Sequence, residues 1–412
     1  MIYRNMQLNT LSQILSTIED PRDERGKKHR LIDIFLLTIY GSLWGHTDFT
    51  NMCIELKYRE SFFVELLGLP HGIPSHDTFS AVFSIIEPTI FLEGVLSWLA
   101  YHAKSRGYQV AIDGKAIRAA CDKVHRGKVP YVVNAFVIET GLCIGQIRID
   151  EKTNEITGIP ELLEWLDIEG ATITIDAIGC QRAIAEKIIQ KGADFILSVK
   201  ENQATLHSDI LLEMQTQIAQ KELMVELAKE QSKKRKEKVA PVLNENWDEF
   251  VQTNKGHGRI ERRHYYVLND ASCVDKELWP HVKSIALVKR ERQVIHRDEK
   301  NEILDEEATC EFQTYIMSRP MWAEEFAGYV RGHWGIENSL HWVLDDYFRE
   351  DRCTARVEHA TENLALLRKL VFDLMVLDPH TKGMSKKAKQ IYYRNDDQAV
   401  IRLLFDSCDS RA

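Results

Sequence analysis

Thr172-Ile173-Thr174-Ile175-Asp176 and, earlier in the chain, Val110-Ala111-Ile112-Asp113 are short apolar, β-branched runs that stop on the same Ile-Asp dipeptide. With Gly170 and Gly107 as nearby breakers, such runs read as buried strands rather than pieces of helix. Each aspartate therefore stands at a strand end. A single Asp there ordinarily caps the following turn or helix. Two of them raise a second reading, in which both are ligands of one site. Working outward, Tyr108 to Asp113 is a first strand, and Tyr131 to Glu139 with Leu142 to Asp150 make a hairpin around Thr140-Gly141. Ile159 to Leu166 reads as a short helix and Ala171 to Asp176 as a strand. Cys180 to Lys191 follows as a helix stopped by Gly192, and Ala193 to Val199 is a last strand.

A third carboxylate joins the two. From Glu324 to Tyr347 the residues Phe326, Val330, Leu340, Leu344 and Tyr347 recur at spacings of three and four, which marks one face of a helix. His333 and Glu337 fall on the same stripe. An ionised carboxylate facing inward needs a cation, a basic side chain or a proton. A divalent ion shared with Asp113 and Asp176 satisfies that need, and an all-oxygen donor set suits Mg2+ or Mn2+. Two such ions, about 3.5 to 4 Å apart, clamp the attacking and leaving oxygens of an in-line phosphoryl transfer.

At 412 residues with 44% hydrophobic content the chain can bury a large core and build two or three domains. Its eight cysteines (Cys53, Cys121, Cys143, Cys180, Cys273, Cys310, Cys353, Cys408) are scattered without a C-x-x-C pair, which argues against a zinc ribbon or a disulfide framework. The N-terminal residues lack a signal-peptide core, and Ile34 to Trp44 is too short to span a bilayer. A cytoplasmic protein with no membrane partner is expected. The net charge of −9 opposes phosphate binding if spread evenly. Basic clusters nevertheless stand at Arg22 to Arg30, Lys233 to Lys238, Lys255 to Arg263 and Lys382 to Arg394, although any one of them also fits a solvated face.

Residues 1–95 read as an all-helical N-terminal domain, with helices at Leu31 to Trp44, Phe49 to Tyr58, Ser61 to Leu67 and about Asp77 to Ile86. Gly68 to Ser75 is a breaker-rich turn, and Ser75 can cap the helix after it, an outline shared by helix-turn-helix motifs and by plain helical packing. Residues 96–200 carry the alternating strands and helices, in the strand order of an RNase H-like α/β fold with a mixed five-stranded sheet. In that order the first and fourth strands are neighbours. Residues 201–320 read as an insertion, a helix from Gln203 to about Lys236 followed by strands near Ile260 to Leu268, Ser284 to Val288 and Phe312 to Met317. Residues 321–377 return to the core with the Glu337 helix and a helix from Thr361 to Leu377. Residues 378–412 look like a polar, mobile tail.

Several separated motifs, DPRDERGKKH, IDGKAIR, TIDAIGCQ, VKENQ, HGRIERR and RGHWGIENSLHWVLDDYFRED, occur in the order found in insertion-sequence DDE transposases. The chain resembles the H-repeat-associated (Rhs-element-associated) group of that family over nearly its whole length. The resemblance implies an RNase H-like catalytic domain with Asp113, Asp176 and Glu337 as catalytic, metal-binding triad. It implies cleavage and strand transfer on double-stranded DNA, element ends and target alike, by a dimer or larger assembly. Related transposases carry an Arg one turn before the Glu and a Lys after it; here those places hold His333 and, two turns beyond, Asp345 and Asp346. Phosphate contacts on this helix are therefore reassigned to Arg331 and His341, with His333 either orienting Glu337 or bonding a phosphate.

Other candidates come from the residues themselves. Lys115 shares the side of Asp113 if the strand continues past Gly114, as a phosphate contact or as a solvated lysine. Lys200, Asn202 and Gln203 follow the last strand, where ligands meet open sheets, with a helix cap by Asn202 as the alternative. His257, Arg259 and Arg262 surround a Gly turn, suited to phosphate and equally to a solvated hairpin edge. His333, Glu337, His341 and Asp345 recur every fourth residue, but the H-E-x-x-H spacing of zinc hydrolases is absent. Two rival functions stand beside the transposase. One is a transposition-defective remnant or repressor that only binds DNA; the other is a stand-alone metal nuclease.

Overall fold

A computed structural model describes residues 10–25, 27–99, 107–120, 129–149, 155–256, 259–297, 303–355 and 357–406. His257 lies outside them. The chain forms two compact units, one of residues 1–108, 113–166 and 335–412, the other of residues 109–112 and 167–334.

The first unit is built on helices α1 (Leu11–Leu15), α2 (Leu31–Leu43), α3 (Phe49–Tyr58), α4 (Glu60–Leu67), α5 (His76–Ile85) and α6 (Pro88–Leu99). Every residue of α2 except Ile32 is buried, as expected of a helix apolar all round. Ser75 does cap α5, accepting from the Thr78 N–H at 3.3 Å. The Gly68 to Ser75 connection is longer than a helix-turn-helix turn, and α5 carries no Lys or Arg, so this segment packs as plain helices. The unit also holds the last residues of β1 (Gln109–Ala116) and the antiparallel hairpin β2 (Tyr131–Val137) and β3 (Leu142–Ile149), turned at Gly141 with φ +71°. Helix α7 (Glu155–Trp165) packs on β3.

The second unit contains β4 (Thr172–Ile175), α8 (Arg182–Gln190), β5 (Asp194–Val199), α9 (Ala204–Arg235), β6 (Trp247–Gly256), β7 (Arg259–Leu268), β8 (Ser284–Arg297), β9 (Ile303–Met317) and α10 (Ala323–His333). Residues 109–112 of β1 pair in parallel with β4, and β4 pairs in parallel with β5, so the first and fourth strands are neighbours as expected. The order then runs β5-β9-β8-β7-β6, all antiparallel. A separate five-stranded sheet with an inserted module is therefore corrected: the inserted strands continue the core sheet. The physical reason lies in β5, whose residues 195–199 are all buried and whose outer edge would otherwise leave its backbone groups unpaired. Phe326 of α10 packs into a cluster with Ile196, Tyr265 and Tyr315 on this sheet.

After α10 the chain continues through a π-helical turn, Ile336–His341, into α11 (Trp342–Asp346), all within a stretch expected as one regular helix. Helix α12 (Ala360–Leu377) is the first unit's central element, touching α2, α5, α6 and β3. Its Asn363 donates to the Phe83 and Ile86 carbonyls at 2.9 and 2.8 Å, closing the end of α5. The expected mobile tail is corrected as well: α13 (Lys386–Asn395) and α14 (Asp397–Phe405) pack against α2, with Tyr393, Val400 and Leu404 fully buried. Among the described residues no single helix is long and apolar enough to cross a membrane.

Candidate active site

The parallel register of β1 on β4 ends with Ile112 opposite Ile175, and the next residue of each strand is the aspartate singled out in the sequence. Each aspartate is oriented within its own unit. Asp176 accepts the Ile178 N–H at Oδ1, 3.1 Å away, so its loop is fixed through one oxygen. Asn202 and Gln203 brace the same loop: Asn202 Nδ2 donates to the Ala177 carbonyl at 2.7 Å and Gln203 Nε2 to the Cys180 carbonyl at 3.0 Å. Gln203 stands at the N-cap of α9 but its side chain makes no capping hydrogen bond there. Asp113 lies with its Oδ2 3.6 Å from His341 Nδ1. The other ring nitrogen of His341 sits 3.2 Å from Asn134 Nδ2; a proton donated by that amide would put the ring N–H on Nδ1, facing Asp113.

A polar layer fixes α10 on the sheet of the second unit. Gln109 Nε2 donates to Thr174 Oγ1 at 2.9 Å and to the Tyr329 carbonyl at 2.8 Å. His333 Nδ1 lies 3.1 Å from Thr174 Oγ1. Burial lowers the pKa of His333, with the charge of Asp176 working against the shift.

Glu337 is exposed, with the buried place on its helical face taken by Ile336. The inward-facing Glu inferred from the stripe is thus corrected. Steps of three and four from His333 reach Ile336 and Glu337 respectively, and the π turn makes Ile336 the one that packs.

The cations divide by exposure. Lys200, Arg259, Arg262 and Arg331 are exposed. With the Asn254 amide oriented to accept, Arg331 and Arg263 both lie within 3.2 Å of its oxygen. Lys115 is neither solvated nor open to a ligand: only 7% exposed, it pairs with Asp345, Glu350 and Asp351 at 2.5, 3.1 and 3.4 Å. These carboxylates raise its pKa although burial alone would lower it. Gly114 between Asp113 and Lys115 leaves room for the Glu155 side chain, whose Oε1 a Cβ there would meet at 2.3 Å.

Gln109, Asn134, Tyr329 and Glu155 were not picked out by sequence reasoning. Asn134 carried a usable signal, a lone amide inside the apolar run Tyr131–Val137.

Residues 104–374 match the family model described as Transposase DDE domain, and residues 12–99 match the DDE_Tnp_1-associated model. The chain belongs to the DDE transposase family. Among its relatives, the "H repeat-associated putative transposase YhhI" of Escherichia coli K12 is 34% identical over 393 residues, covering 93% of this chain and 95% of that protein. "Putative protein YbfL" of the same strain is 33% identical over 393 residues, with the same coverage. The shorter "H repeat-associated putative transposase YbfD" is 36% identical over 263 residues, 64% of this chain and 95% of that protein. Membership makes the protein an enzyme type that acts on DNA, in a family that generally uses divalent metal. Among the described residues no preformed cluster of three His, Cys, Asp or Glu is arranged to hold a metal. Carboxylate oxygens suit a hard cation; each aspartate is taken within its own unit, Asp113 beside His341 at 3.6 Å and Asp176 with one oxygen held by the Ile178 N–H.

Proposed function

We propose that this DDE transposase catalyses Mg2+-dependent strand cleavage at insertion-sequence ends and joins the freed 3′-OH to target DNA. Asp113, Asp176 and Glu337 are the catalytic carboxylates and would hold two Mg2+ or Mn2+ ions. Such ions, when bound, activate water or a 3′-OH and neutralise charge on the scissile phosphate. The observation that carries the reading is a repeated one. Each aspartate directly follows the last residue paired in the parallel β1–β4 ladder, and each answers to a histidine of the Glu337 segment, His341 for Asp113 and His333 for Asp176. These histidines lie four residues to either side of Glu337.

The protein's own groups then divide the work. His341, beside Asn134, faces the Asp113 carboxylate. His333 stays with Thr174, and Asn202 and Gln203 keep the Asp176 loop closed. Lys115 acts through the packing of residues 345–351 and not on DNA. Lys200, Arg259, Arg262 and Arg331, together with His257, are assigned to the phosphate backbone, with double-stranded DNA as partner and a dimer or larger assembly as the working form in the cytoplasm.

The deciding experiment is cleavage and joining of a duplex that carries the element's ends, with Mg2+. Asp113→Asn, Asp176→Asn and Glu337→Gln should each lower cleavage by about a hundredfold or more, the scale of losing one charge-stabilising group at a reacting centre. Wild-type cleavage by Asp113→Asn and Glu337→Gln would show the assignment to be wrong. Cutting without end preference and without joining would identify a nuclease instead.

A further inference from the structure

The first unit contains a cavity of about 520 Å3 whose walls include Phe49, Met52, Phe348 and Leu367 and whose described lining carries Arg349, Arg352 and Arg368. That volume is in the range of small-ligand sites. Arg368 is the unusual member. It is 5% exposed, and among the described residues its side chain makes no hydrogen bond or ion pair and its enclosed Nη1 has no acceptor. Glu350, whose charge Arg368 feels, is ion-paired with Lys115 and Lys369 at 3.1 and 3.7 Å. A buried guanidinium without an acceptor is costly unless an anion completes it.

The rest of the lining points the same way. Among the described lining residues Asp48 is the one carboxylate, and both Asp48 oxygens are taken by Asn51, through the backbone N–H and Nδ2 at 2.8 Å each. Arg349 holds a left-handed backbone conformation, φ +49°, of the kind that concentrates at ligand sites in residues other than glycine. Guanidinium groups match phosphate oxygens in charge and fork geometry, while the aromatic and aliphatic wall suits a sugar and a base.

We propose that this cavity binds the phosphate of a nucleotide, with Arg368 and Arg352 on the phosphate and the apolar wall against the nucleoside. The nucleotide is either free or the 5′-phosphorylated terminus of a DNA strand. None of the three catalytic carboxylates lines the cavity, so the proposal stands apart from the cleavage reading.

The test uses the full chain in EDTA, where cleavage chemistry cannot contribute. Calorimetric titration compares dAMP with deoxyadenosine, and a competition assay compares a 5′-phosphorylated with a 5′-hydroxyl single-stranded oligonucleotide. In at least one pair the phosphorylated probe should bind tenfold or more tightly than its counterpart, and the responding pair identifies the source. Arg352→Ala and Arg368→Met should each abolish that preference, while Asp113→Asn should leave it intact. Arg352 is exposed, so its variant should melt like the parent even if Arg368→Met fails to fold. Equal binding within both pairs, or a preference that survives Arg352→Ala, would overturn the proposal.

Discussion

Glu350 and Asp373 are both buried acids of the first unit, and their surroundings drive them in opposite directions. Burial pushes Glu350 toward its neutral form, but Lys369, Lys115 and Arg368 prevail and hold its pKa down to about 2. A depressed folded-state pKa gives stability that is present above the ordinary carboxylate value and is lost as pH falls from about 4.5 through about 2. Lys115→Met removes one of those cations and leaves Asp345 and Asp351 without their lysine. Breaking a buried pair in this way should cost about 3 to 5 kcal/mol in urea unfolding and move the acid transition to higher pH. A variant as stable as the parent would mean that Lys115 is dispensable to the cluster. Burial raises the pKa of Asp373 well above its ordinary value, against the pull of Lys386 and Lys369, while the side chain accepts the Cys143 N–H at 2.9 Å. A raised pKa reverses the sign: its stabilisation is complete below pH 3.8 and is lost as pH rises through the folded value. Asp373→Asn keeps the acceptor and removes the titration. Its stability should equal or exceed that of the parent at pH 8 and should vary less between pH 4 and pH 8 in denaturant titrations.

At the scale of elements, α10 depends on how closely it approaches β1. A Cβ at Gly332 would lie 2.1 Å from Gln109 Oε1, and Gln109 is held in place by Thr174 and the Tyr329 carbonyl. Gly332→Ala should therefore destabilise by about 1 to 3 kcal/mol, the usual range for overpacking, and lower the melting temperature. Combining it with Gln109→Ala should recover part of that loss. A double variant no better than the sum of its parts would show that the two residues do not meet. Strands and most helices were legible because their signals are local: β-branched runs, breaker glycines and the Ser75 cap all fall within one element. The face of the Glu337 segment was not legible, since spacings of three and four allow either Ile336 or Glu337 to point inward. Only the π turn, which depends on what the segment packs against, separates them. Lys115 was misread for a related reason. Its three carboxylate partners lie in residues 345–351, far along the chain, and no local pattern announces them.

The chain passes between its two units four times, at residues 108–109, 112–113, 166–167 and 334–335, so neither unit is a continuous stretch of sequence. Composition shifts mark elements, but they cannot mark units assembled from separated segments. The C-terminal residues illustrate the consequence. Lys382 to Arg394 is strongly basic and, taken alone, resembles a solvated tail, yet its few apolar residues complete the helical core. Trp44 Nε1 donates to the Tyr393 carbonyl at 3.1 Å, Arg59 pairs with Asp397 at 3.0 Å, and Arg394 pairs with Glu55 at 2.7 Å. Ending the chain after Leu377 would expose the surface now covered by Tyr393, Ala399, Val400, Leu403 and Leu404. At about 1.5 to 3 kcal/mol for each large apolar side chain, that loss rivals the whole stability of an ordinary domain. Such a truncation should melt far below the parent and be cut within α2 to α4 under limited proteolysis, because α2 relies on these helices for part of its burial. A truncated chain that keeps the parent's melting temperature and protease resistance would instead show that the core closes without them, and that residues 378–406 dock on a helical unit already stable.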